Sequence, residues 1–125
     1  MMMKKVSLGL VTALAVLASA AHAQPVARAG LLVDAAGRTV YTFDKDTAGK
    51  SNCSGGCLAA WPVFAAKAGA KPQGDFGLIE AAGGQQQWTI KGKPLYYFAG
   101  DAQPGERNGD GSGGTWHVVP APAKY

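Results

Sequence analysis

Charge, cysteine and histidine are scarce in this chain of 125 residues. Charged residues make up 16%, and there are two cysteines and two histidines. No basic block occurs, so the electrostatic footprint of a nucleic-acid binder is missing. The N-terminal apolar stretch, Val6 to Ala21, has sixteen residues, short of the roughly 20 that span a bilayer. The length excludes a multidomain enzyme, a dinucleotide-binding α/β fold or barrel, and a protein with several membrane spans. The Gly-rich segment 109–114 lacks the lysine of a phosphate-binding loop.

What is present begins with a secretion signal. Lys4 and Lys5 precede the uncharged run Leu8 to Leu17, and Ala21-His22-Ala23 supplies the small-x-small pattern of a cleavage site. Residues 1–23 are therefore expected to be a signal peptide, with 24–125 forming one secreted domain and no membrane span after cleavage. Expected localisation is periplasmic or extracellular. No cysteine follows the apolar run, so a site for N-terminal lipid attachment is missing.

Without the signal segment, ten basic and eight acidic side chains remain, interspersed along the chain. Seventeen glycines and all seven prolines remain as well, which disfavours a helical bundle. Cys53 and Cys57 flank Ser54-Gly55-Gly56, a flexible spacer that lets a short disulfide close in an oxidising compartment. The rival use of the pair is redox or soft-metal chemistry, although redox motifs usually separate their cysteines by two residues rather than three.

The chain aligns to itself without a gap at a shift of 55 residues. Gly37 to Phe43 lies over Gly92 to Phe98, Asp46 over Asp101, Gly56 over Gly111, Trp61 over Trp116 and Val63 over Val118. Between Asp34 and Phe64, seven of 31 positions are identical, and they include Tyr, Phe and Trp. Each copy reads as a hairpin followed by a long loop and a Trp-led strand, with units at about 30–64 and 85–119. Alternation places Tyr41 and Phe43 on one side of their strand, and Tyr96 and Phe98 on one side of theirs. Phe76 to Ala81 could add a strand. Ala65 to Gly74 reads as a linker or a single helical turn, and Pro120 to Tyr125 is expected to fray. A helix over Cys57 to Ala68 is the one helical rival, with Pro62 in its middle. The predicted fold is all-β with long loops, two pseudo-repeated units packed as one small domain.

Both copies carry a Y-x-F-x-x-D unit, Tyr41 to Asp46 and Tyr96 to Asp101. With Cys53 to Cys57, Trp61-Pro62, Gly109-Asp110-Gly111 and Trp116-His117, this pattern resembles the bacterial secreted-repeat lipoproteins of unknown function, marked by Y-x-(F/W/Y)-x-x-D. The resemblance covers nearly the whole mature chain. It implies an envelope-exposed repeat protein with no assigned activity, and the missing lipid-attachment cysteine sets this chain apart from anchored members.

Two uses of the repeated unit are open. In the first, Tyr41, Phe43, Trp61, Tyr96, Phe98 and Trp116 fill the core while Asp46 and Asp101 hold the turns that follow. In the second, aromatic faces and carboxylates form a platform for sugars or cationic ligands. Repetition favours the first, because each hairpin needs the same stitch. The second loop, Ala102 to Gly114, is long and polar, so Arg107 and Asp110 beside Tyr96, Asp101 and Trp116 are the candidate binding residues. A calcium loop over 108–113 lacks the required later glutamate. No catalytic residue, metal or cofactor is assigned. The expected function is a non-catalytic envelope binding or interaction module, with an envelope protein or small ligand as partner. One alternative is a periplasmic redox or copper-handling protein using Cys53, Cys57 and His117. Another is a small hydrolase, which would need a pocket joining His117 to carboxylates.

Overall fold

A computed structural model describes residues 23–121. The predicted signal segment therefore lies outside the described residues, apart from Ala23. The described chain forms seven short strands: β1 (Val26–Arg28), β2 (Leu31–Val33), β3 (Tyr41–Phe43), β4 (Phe76–Glu80), β5 (Gln86–Ile90), β6 (Lys93–Pro94) and β7 (Trp116–Val118). One helix, α1 (Gly56–Ala60), has five residues. It stops before Trp61-Pro62, as expected where a proline follows and disfavours helix in the residue before it. No helix among the described residues is long and apolar enough to cross a membrane.

Two tight hairpins are set by local chemistry. In β1–β2 the register Arg28↔Leu31 leaves Ala29 and Gly30 as the loop, both with positive φ (53° and 82°). In β5–β6 the register Ile90↔Lys93 leaves Lys91 and Gly92, again both positive (49° and 83°). Two positive φ values in a two-residue loop match the right-handed twist of the flanking strands. The predicted second-copy hairpin thus sits at the expected residues. In the first copy the chain also reverses between β2 and β3. Asp34 accepts from the backbone N–H groups of Ala36 and Arg38 at 2.9 and 2.8 Å, and Val33 pairs with Thr39. β4 fulfils the expected strand near Phe76 and pairs along its whole length with β5. The end of the domain departs from expectation: Pro120 bridges to Leu31, and Ala121 is buried and donates its N–H to the Gly30 carbonyl at 3.0 Å. Those two residues are held because they extend β7 along the first hairpin.

The three sheets, β1–β2, β3–β7 and β4–β5–β6, are all antiparallel. Leu31↔Pro120 and Val33↔Thr39 tie the first to its neighbours, while the second joins the third through Tyr41 and Tyr96, which pair antiparallel and exchange both backbone hydrogen bonds at 2.8 and 3.0 Å. Because these residues are equivalent in the two copies, their pairing places an approximate two-fold axis between them. Side chains alternate about this centre. Val40, Leu95 and Tyr97 join Leu32, Phe64, Trp88 and Ile90 in one core. Tyr41 and Tyr96 join Trp61, Trp116 and Cys53 in the other.

The Trp-led segments do not return to their own hairpins. β7 of the second copy pairs with β3 of the first, through Tyr41↔Val118 and Phe43↔Trp116. Val63 of the first copy bridges to Tyr96 of the second. The two repeat units are therefore strand-exchanged.

Candidate functional site

The repeated aromatic and acidic residues meet at the two-fold axis. Trp61 and Trp116 stack face to face, with centroids 3.8 Å apart and planes 2° apart. Phe43 stacks on the outer face of Trp116 at 4.2 Å, and Phe98 covers Trp61 at 4.5 Å. Tyr41 meets Trp61 edge-on at 5.2 Å, and Tyr96 meets Trp116 the same way at 5.1 Å. The two edge-on tyrosine contacts suit the aromatic quadrupole.

Each motif tyrosine bonds the aspartate of the other copy. The Tyr41 hydroxyl donates to Asp101 Oδ2 at 2.6 Å, and the Tyr96 hydroxyl donates to Asp46 Oδ2 at 2.7 Å. The second oxygen of each carboxylate holds the loop that follows it. Asp101 Oδ1 accepts from the Asn108 N–H at 2.8 Å, and Asp46 Oδ1 accepts from the Asn52 N–H at 2.6 Å. Tyr41 also accepts from the Gly109 N–H at 3.2 Å, and Tyr96 shares a short hydrogen bond with Ser51. A third pair, Tyr97 to Asp34 at 2.8 Å, ties the second copy to the first-copy turn, with the Arg38 guanidinium 4.1 Å over the Tyr97 ring. Burial raises the ionisation of all three phenols above the ordinary tyrosine range, and the carboxylate partners raise it further. Burial also raises the Asp46 carboxyl, against the lowering effect of its bonds from Asn52 and Tyr96.

Among the candidate binding residues, Tyr96 is fully buried, and Asp101 and Trp116 are nearly so. Arg107 and Asp110 are exposed on the second loop, where Asp110 Oδ1 accepts from the Val118 N–H at 3.1 Å. Cys53 and Cys57 form a disulfide with Cα atoms 5.3 Å apart. It staples the first loop where the second is held by the Asn108 and Asp110 hydrogen bonds. Both sulfurs are thereby withdrawn from metal ligation. Among the described residues no group of three His, Cys, Asp or Glu is placed to hold a metal ion.

A cleft outside these candidates gathers exposed chemistry. His117 Nε2 lies 2.7 Å from Asp44 Oδ2, with side-chain exposures of 44% and 56%. Both line a cavity of about 350 Å³ together with Thr42, Lys91 and Lys93. A second cavity of about 220 Å³ shares Thr42, Asp44, Lys91 and Lys93, so the two are lobes of one cleft. Thr42 and His117 face each other in the β3–β7 register, and the lysines come from the tip of the β5–β6 hairpin. His117 was visible in the sequence as the one histidine beyond the predicted signal segment. Asp44, Lys91 and Lys93 were not, because strand exchange brings them to it.

A family model for a secreted repeat of unknown function matches residues 28–65 and 77–120, one match per copy and more than half of the chain. The chain belongs to that family. The two matches coincide with the two exchanged units, so the secreted repeat is the element whose copies meet at the Trp61–Trp116 stack. No curated protein matches this member of the secreted-repeat family, and no solved structure does.

Proposed function

We propose that this secreted repeat protein is a rigid, non-catalytic binding module of the cell envelope. One observation carries the reading. The motif tyrosines and aspartates are committed to reciprocal bonds across the two copies, buried at Tyr41–Asp101 and half-buried at Tyr96–Asp46, so the repeated pattern holds shape. Contact chemistry is then left to exposed groups on the frame: the cleft at Thr42, Asp44, Lys91, Lys93 and His117, and Arg107 and Asp110 on the second loop. Tyr96, Asp101 and Trp116 act beneath that loop as its support.

A hydrolytic reading has the His117–Asp44 pair in its favour. Against it, Nε2 of the imidazole is taken by the carboxylate, the pair is open to water, and no hydroxyl or thiol bonds the ring among the described residues. Nucleophile activation needs that third group within hydrogen-bond reach. The copper or redox alternative would require Cys53 and Cys57 to be reduced first. Free-thiol titration and metal analysis of the native protein separate it.

The test is crosslinking of the tagged protein in its native envelope. The wild type is compared with a Lys91→Glu/Lys93→Glu variant and an Arg107→Ala/Asp110→Ala variant, each checked for an unchanged aromatic circular dichroism spectrum. A defined crosslinked species that either variant loses is expected. A species indifferent to both, or substrate turnover abolished by His117→Ala, would refute the module.

A further inference from the structure

The two Trp-led segments find all their strand partners in the opposite copy. Among the described residues, the bridges made by 61–66 are Val63↔Tyr96 and Ala65↔Gln87, both to the second copy. Those made by 116–121 are the β3–β7 ladder and Leu31↔Pro120, both to the first. Backbone bonds repeat the pattern. Phe64 N–H donates to Leu95 O at 3.0 Å and Trp88 N–H to Phe64 O at 3.0 Å, while Leu32 N–H donates to Val119 O at 2.8 Å. Side-chain bonds also cross between copies: Tyr41 to Asp101 and Tyr97 to Asp34, both buried, and Tyr96 to Asp46 and the Thr39 hydroxyl to the Glu106 carbonyl at 2.6 Å, both half-buried. Both cores mix residues of the two copies.

An isolated first copy would thus expose the edge of β3, the unpaired segment 61–66 and the face of Trp61. An isolated second copy would expose the complementary set. We infer that the surface between the copies is a self-recognising interface, and that its partner is the complementary half of the repeat, supplied by the same chain or by a second copy of it. In the intact chain the tether raises the local concentration of the second half to the millimolar range, so closure within one chain dominates. In two opened chains the same contacts would close an exchanged dimer, with each half satisfied by the other chain. The connection between the copies is suited to being the hinge. Lys67, Ala68, Gly69, Lys71 and Pro72 are exposed, and a side chain built at Gly69 would meet nothing within 4 Å.

The experiment uses the full chain with a specific-protease recognition sequence inserted between Ala68 and Gly69, cleaved after folding. The halves are expected to remain a one-to-one complex at the intact mass, with unchanged aromatic circular dichroism. Separated in denaturant, each half alone should lack that signal, and mixing should restore it. Asp101→Asn should weaken the association by about tenfold or more, because it removes a charge-assisted bond across the interface. Where that variant fails to fold before cleavage, Thr39→Val, which removes the bond to Glu106, takes its place. Halves that part at micromolar concentration without denaturant, or that fold alone, would overturn the inference. So would an association indifferent to both substitutions.

Discussion

The reciprocal tyrosine–aspartate bonds can be weighed directly by removing one of them. Asp101→Asn keeps the side-chain volume and leaves an oxygen able to accept from Asn108 N–H. It puts an NH₂ donor where Oδ2 accepts the Tyr41 hydroxyl, 2.6 Å away. That hydroxyl already accepts from Gly109 N–H, so the amide is a poor replacement for the carboxylate. A hydrogen bond to a charged group contributes about 1.5–3 kcal/mol, and leaving a buried donor without its acceptor keeps the loss within that range. We expect a loss of about 2 kcal/mol, which in a domain of this size lowers Tm by about 10 °C. Tyr41→Phe should lose a similar amount, because it strands Asp101 Oδ2 and the Gly109 N–H. The double variant should fall short of the sum by about 1–2 kcal/mol, the mark of a direct contact. Urea unfolding followed by tryptophan fluorescence measures all three, since Trp61 lies against Tyr41. Additive effects, or single losses below about 0.5 kcal/mol, would show that the motif pair does not hold the two copies together and would refute the reasoning.

The three buried phenols make a prediction in alkali. Their folded ionisation is raised above the ordinary value of 10, so they stabilise the fold fully below pH 10 and lose that contribution as pH rises beyond it, by about 1.4 kcal/mol per pH unit for each tyrosine. Absorbance at 295 nm should show Tyr41, Tyr96 and Tyr97 titrating together with unfolding; ionisation near pH 10 in an intact fold would contradict this. Gly109→Ala should destabilise by about 1–3 kcal/mol through overpacking, since a Cβ there would come within 2.6 Å of Trp61 and 2.9 Å of Phe98; thermal melts read it, and a neutral result would mean the aromatic ladder yields easily. Replacing Cys53 and Cys57 by alanine should cost about 2 kcal/mol, the chain-entropy value for so short a loop; a complete failure to fold would assign the disulfide a larger role. Asp44→Asn should change stability by less than about 0.5 kcal/mol, because the pair with His117 is exposed to solvent; chemical denaturation checks it.

Sequence alone determined the local features of this protein. The Lys91-Gly92 hairpin, the strand near Phe76, the alternation of Tyr41 with Val40 and the duplication at a shift of 55 residues all follow from turn chemistry, side-chain period and self-similarity. So does the closure of Cys53 with Cys57, which needs only a flexible spacer. Tertiary structure decided which strand lies beside which. Two related copies present two similarly patterned hairpin edges and two Trp-led strands, so periodicity cannot tell an exchanged pairing from a returning one. The choice rests on long-range packing: the Trp61–Trp116 stack and the crossed Tyr41–Asp101 and Tyr96–Asp46 bonds form only when the strands exchange. The cleft is a product of that same choice. His117 meets Asp44 and lies near Lys91 and Lys93 because β7 crosses to β3, and no local pattern in the chain records that crossing.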